Sequence, residues 1–77
     1  MEIGKRIQQA RIKAGLTQEE AAEKLNVSRQ TISNWENERT YPDIIVVIKM
    51  SDIYKISLDD LLKEKEQIME GKYLDYL

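Results

Sequence analysis

Apolar residues recur along the first sixty positions with a helical period, and polar breaks divide them into five segments. Ile3, Ile7, Ala10 and Ala14 share one face at the 3.6-residue period, which predicts a helix over about Glu2–Ala14. Gly15 supplies the left-handed residue that ends such a helix. Thr17 and Glu20 have the spacing of a capping box, so a second helix starts at Gln18. Ala21, Ala22 and Leu25 form its inner face, and the two alanines allow a close helix–helix approach. Asn26 falls where the next turn needs positive φ, which asparagine tolerates better than most residues. Val27 then plugs that turn into the core. Ser28 caps a third helix over about Arg29–Asn37, with Ile32 and Trp35 inside. Pro42 breaks the chain, and a fourth helix runs from Asp43 to about Lys55. Ser57 caps a fifth, with Asp59 and Asp60 complementing its dipole and Leu58, Leu61 and Leu62 folding back. Connections of two to six residues leave no room for a sheet. The expected class is all-α, a compact bundle of five helices.

Helix four departs from a simple amphipathic pattern. Ile44, Ile45, Val46, Val47 and Ile48 are consecutive, and one helix cannot bury five neighbours against one core. Ile45 and Val46 are expected to face outward, as an adjacent apolar pair that marks a partner surface. Residues 64–77 form a separate extension, in which Gly71 ends any continuing helix. It closes on Tyr73, Leu74, Asp75, Tyr76 and Leu77, too apolar for an ordinary solvated terminus. Tyr73, Leu74, Tyr76 and Leu77 are expected to cover Ile45 and Val46, within one chain or across a dimer. The domain proper is residues 1–63.

Composition narrows the chemistry. Seventy-seven residues make one small domain with a modest core. With no cysteine and no histidine, disulfides, thiol nucleophiles, the usual zinc sets and a histidine base are excluded. No metal or cofactor is expected. No apolar run reaches the ~20 residues of a membrane span, and the start lacks the apolar stretch of a signal peptide. A soluble cytoplasmic protein is the expectation. The net charge of −2 argues against a nonspecific nucleic-acid coat. Its distribution is uneven: residues 1–40 hold seven basic and six acidic side chains, residues 41–77 five and eight. The first part can therefore present a local positive face. Asp59 and Asp60 are adjacent carboxylates, as are Glu19 and Glu20, and both pairs are explained by their place at a helix start. No nucleophile and base stand at a workable spacing, so an enzyme is not expected.

Residues 17–37 hold the most specific pattern. Two short capped helices are joined by a tight turn. At about 100° per residue, the second places Arg29, Gln30, Ser33, Asn34 and Asn37 on one side and Ile32 and Trp35 on the other. Arginine, asparagine and glutamine are the side chains that read base edges in the major groove. This is the arrangement of a helix-turn-helix. The stretches LTQEE at 16–20, NVSRQTISNWEN at 26–37 and YPD at 41–43 resemble the phage-repressor-like, XRE-type DNA-binding family, over roughly residues 3–62. The resemblance implies a five-helix, lambda-repressor-like fold and a sequence-specific regulator of transcription. A repressor acting as a homodimer on a palindromic operator in double-stranded DNA is the leading expectation. The alternative is a protein-interaction module on the same fold, such as an antitoxin.

Carried over position by position, the resemblance assigns base contacts to Ser28, Arg29, Gln30 and Asn34. Gln18, at the start of helix two, matches a phosphate contact, where a helix N-terminus favours an anion. Asn37, Arg39 and Thr40 match the loop that runs along the DNA backbone, and Ser33 is grouped with these backbone contacts. Arg11 and Glu36 are implied to meet as a partly buried ion pair. One departure stands out. The family usually has glycine at position 38, and this chain has Glu38. A carboxylate facing phosphates is repulsive, so glycine at 38 is expected to tighten DNA binding.

Overall fold

Four hydroxyl or carboxylate side chains start four of the helices. The computed structural model describes residues 3–62, in which five helices occur: α1 (Ile3–Lys13), α2 (Gln18–Leu25), α3 (Arg29–Glu36), α4 (Ile44–Tyr54) and α5 (Leu58–Leu62). The Thr17 hydroxyl accepts from the Glu20 N–H at 3.0 Å while the Glu20 carboxylate accepts from the Thr17 N–H at 2.8 Å, closing the capping box of α2. Ser28 accepts from the Thr31 N–H at 3.1 Å and Asp43 from the Val46 N–H at 2.9 Å, fixing the starts of α3 and α4. Ser57 accepts from the Asp60 N–H at 3.0 Å at α5. Each bond satisfies a helix-start amide that has no partner inside its helix.

The core draws on every helix. Ile7 and Ala10 of α1 meet Ala21, Ala22 and Leu25 of α2, Ile32 and Trp35 of α3, Val47, Met50 and Tyr54 of α4, and Leu61 of α5. Ile7, Ile32, Met50 and Leu61 are the largest side chains wholly removed from water. Burying one apolar side chain of this size contributes about 1.5–3 kcal/mol, and Trp35, Tyr54, Leu25 and Val47, nearly as buried, add to the same core.

The helix ends fall slightly inside the expected limits. Ala14 is a turn residue, Asn37 follows α3, and Lys55 leaves α4 with φ 57°. The reading of α4 needs a larger correction. Val46 is half-buried and packs on the core beside Val47, because the inward row of Val47, Met50 and Tyr54 is flanked by Val46 and Ile53. The outward residues are Ile44, Ile45 and Ile48, at 60%, 60% and 47% exposure. The outward pair is thus replaced by an outward triplet that includes Ile45 and leaves Val46 out. Tyr73, Leu74, Tyr76 and Leu77, the expected cover, lie outside the described residues. No described helix is long and apolar enough to cross a membrane, and the described residues include no group of three or more His, Cys, Asp or Glu suited to a metal.

Candidate nucleic-acid interface

α3 is held by its apolar side and displays its polar side. Ile32 is fully buried and Trp35 nearly so, while Ser28, Arg29 and Gln30 are exposed at the start of the helix. Trp35 is therefore a core residue. The Ser28 oxygen is occupied twice, by the Thr31 N–H and by the Thr31 hydroxyl at 2.9 Å. Its first task is to fix the start of the helix that carries Arg29 and Gln30. The Gln30 amide donates to the Asn34 side-chain oxygen at 3.2 Å, one helical turn along the same face. That bond leaves the Gln30 carbonyl and the Asn34 amide hydrogens available. An acceptor and donors then stand together, which is the set that the major-groove edge of an adenine demands.

Two flanks border this face. At one, Gln18 opens α2, and its amide donates to a Glu36 carboxylate oxygen at 3.1 Å. At the other, residues 37–40 leave α3. The Asn37 amide donates to the Ser33 carbonyl at 2.9 Å and contacts the Ser33 hydroxyl at 3.3 Å. The Arg39 and Thr40 amides both turn back to the Asn34 carbonyl, at 2.9 and 3.4 Å. Asn34 thus anchors the loop through its backbone while its side chain joins the polar face. Arg29, Arg39 and Thr40 are exposed.

Below this surface lies an ion pair. The Arg11 guanidinium donates to Glu36 through Nε at 2.7 Å and Nη2 at 3.2 Å, and through Nη1 to the Leu16 carbonyl at 2.8 Å. Both residues are only 8% exposed. The fork-to-carboxylate geometry is the strong form of such a bond. It ties α1 to α3, and Gln18 extends it to α2. Arg11 is therefore committed inward and is not a free cation for DNA.

The sequence reading missed two features. Glu38 does not face outward as a free carboxylate. It is half-buried, and its Oε2 accepts from the Gly4 N–H at 2.8 Å. Tyr54 is 3% exposed, and its hydroxyl has no hydrogen-bond partner among the described residues. Burial, together with the Glu36 charge and against the opposing Arg11 charge, pushes its pKa up to about 12. Nothing in the local sequence distinguishes Tyr54 from any other helix-end aromatic.

A family model for helix-turn-helix domains matches residues 7–61, most of the chain. The chain belongs to this helix-turn-helix family, of the phage-repressor-like, XRE type. Its members regulate transcription and are not enzymes. The chain is 47% identical over 66 residues to the HTH-type transcriptional regulator ImmR of Bacillus subtilis, covering 86% of this chain and 52% of ImmR. It is 40% identical over 68 residues to the HTH-type transcriptional activator BcrR of Enterococcus faecalis, covering 88% of this chain and 33% of BcrR. The chain thus spans about half the length of the first relative and a third of the second. Among solved structures, a complex of the SinR and SinI proteins matches with TM-score 0.74 and 32% identity, over 96% of this chain and 73% of that one. The helix-turn-helix is the region from α2 to α3, and the polar face described above is the exposed side of its second helix.

Proposed function

We propose that this chain is a DNA-binding transcriptional regulator that lays α3 in the major groove of double-stranded DNA. Arg29 and Gln30, with Asn34 beside them, read base edges. Gln18, Ser33, Asn37, Arg39 and Thr40 meet the phosphate backbone and set register. The observation that carries the reading is the two-sided character of α3. Ile32 and Trp35 fix one side in the core, and the Gln30–Asn34 amide pair stands on the other. Phosphate contacts at these local positions carry most of the affinity and fix register, while the net charge of −2 adds no long-range attraction.

The finer reading is a homodimer that represses from a palindromic operator. Occluding promoter DNA requires only a bound domain, with no second contact to the transcription machinery. The protein-partner alternative draws support from exposed Ile44, Ile45 and Ile48, and from the fact that one matching solved structure is a complex of two proteins. Selection from a pool of random duplexes at low salt separates the two. A palindromic motif with two half-sites supports the dimeric DNA reading. No enrichment of any sequence overturns it in favour of a protein partner, and a reporter carrying the selected motif reads the sign of regulation.

A further inference from the structure

Four helices close in the same way, and one lacks a part. Gly15, Asn26, Glu38 and Lys55 each take a left-handed conformation, with φ of 78°, 59°, 60° and 57°. After each, the next amide turns back into the helix: Leu16 to the Arg11 carbonyl at 3.1 Å, Val27 to Ala22 at 3.0 Å, Arg39 to Asn34 at 2.9 Å, Ile56 to Ser51 at 3.1 Å. Such closures are usually accompanied by an apolar contact from that following residue. Leu16, Val27 and Ile56 provide it, packing against the core. Arg39 is polar and exposed, so the loop after α3 has no apolar anchor at this position. Glu38 is also a strained choice, since a side chain there costs energy that glycine avoids.

The side chain of Glu38 supplies the missing anchor. Its carboxylate accepts the Gly4 N–H in the first turn of α1 at 2.8 Å. A carboxylate is stabilised at a helix N-terminus by the unpaired amides and the dipole. Gly4 makes the approach possible: a Cβ there would lie 2.5 Å from the Glu36 carbonyl oxygen and 2.7 Å from the Glu38 Cγ. The start of α1 is therefore pressed against the end of α3 with no room for a side chain.

We propose that Glu38 is a positioning residue for DNA binding: bound to the start of α1 across Gly4, it holds residues 37–40 in the shape that meets the phosphate backbone. The inference rests on the DNA reading above. It also reverses the simple electrostatic expectation for Glu38. The negative charge is turned inward, and what reaches DNA is the ordered loop with Asn37, Arg39 and Thr40.

The test compares Glu38→Ala, Glu38→Gln and Gly4→Ala in the full chain. Affinity is measured by fluorescence anisotropy on the selected duplex and on a scrambled one, across a salt series. Folding is followed by circular dichroism. The Gly4 amide is followed by NMR. Charge alone predicts that both Glu38 variants tighten binding. The clamp predicts that Glu38→Ala weakens binding to both duplexes by about tenfold, the scale of one hydrogen bond to a charged group. The salt slope should fall by about one while base preference is retained. Glu38→Gln keeps an acceptor without the charge, and should retain more affinity than Glu38→Ala, with a Gly4 amide shift between those of Glu38→Ala and wild type. Gly4→Ala should reproduce Glu38→Ala without altering the loop sequence. If Gly4→Ala does not fold, the contrast between alanine and glutamine at 38 still decides. Wild-type binding with unchanged affinity and slope in Glu38→Ala overturns the proposal alone. Failure of the wild-type chain to prefer the selected duplex overturns the DNA reading as well.

Discussion

Arg11 and Glu36 show how far one pair of residues can organise this fold. Three guanidinium N–H groups and both carboxylate oxygens are used, and the pair joins α1, α2 and α3. Removing one partner strands a buried charge, so Glu36→Ala should destabilise the domain by about 3–5 kcal/mol. Urea unfolding measures this, and a midpoint equal to wild type would show that the pair is energetically idle. Tyr54 gives a second case at this scale. Its folded-state pKa lies near 12, raised from 10.0 chiefly by burial. The fold favours the neutral phenol, so its contribution is intact below pH 10 and is lost as pH rises from 10 towards 12. Tyr54→Phe should therefore shift the alkaline unfolding midpoint to higher pH. At neutral pH it should leave stability equal or slightly raised, because the hydroxyl is buried without a partner. The exposed Tyr41→Phe controls for lysines that titrate in the same range. A Tyr54→Phe alkaline midpoint identical to that of Tyr41→Phe would contradict the assignment. Family resemblance pointed to the ion pair, but nothing pointed to Tyr54, whose burial in the shared core is set by tertiary packing rather than by local pattern.

The starts of the elements were more legible than their ends, for a physical reason. A helix start strongly prefers a cap of Ser, Thr, Asp or Asn, so Thr17, Ser28, Asp43 and Ser57 announce themselves. A helix end needs a left-handed residue, which glycine and asparagine signal at Gly15 and Asn26. Other residues reach the same conformation when tertiary contacts over-determine it. Lys55 does so under the pull of Ile56 into the core. Glu38 does so through Gly4, a partner thirty-four residues away that local pattern cannot supply. The exposed face of α3 was readable because the helical period separates Ile32 and Trp35 from Arg29, Gln30 and Asn34. The amide bond from Gln30 to Asn34 then makes one element-level prediction sharper. Gln30→Ala should relax base preference at one or two positions and weaken binding to the selected duplex by about 1–3 kcal/mol. Repeating the random-pool selection with the variant checks this. Equal losses on selected and scrambled duplexes would reassign Gln30 to the phosphates.

At the scale of the molecule, one short helix is a weak reader. It spans few base pairs, and a chain of net charge −2 gains little from nonspecific attraction. A two-fold axis doubles the contacts and sets two recognition helices one DNA turn apart, about 34–36 Å. The joining surface must lie beside α3 and leave its polar face open. α4 meets that condition, since it follows the backbone loop directly and leaves Ile44, Ile45 and Ile48 exposed. Val46, by contrast, already packs on its own core and has little area to give. Covering an aliphatic side chain contributes about 1.5–3 kcal/mol before the cost of association is subtracted. Three partly covered isoleucines therefore support a weak dimer that DNA strengthens. Ile45→Glu combined with Ile48→Glu should abolish self-association and lower affinity for a two-half-site duplex, while helicity and binding to a single half-site persist. Val46→Glu should instead reduce stability. Sedimentation equilibrium with and without the duplex distinguishes these outcomes. A chain that stays monomeric at high concentration and occupies a two-half-site duplex without cooperativity would leave the isoleucine face for a different protein.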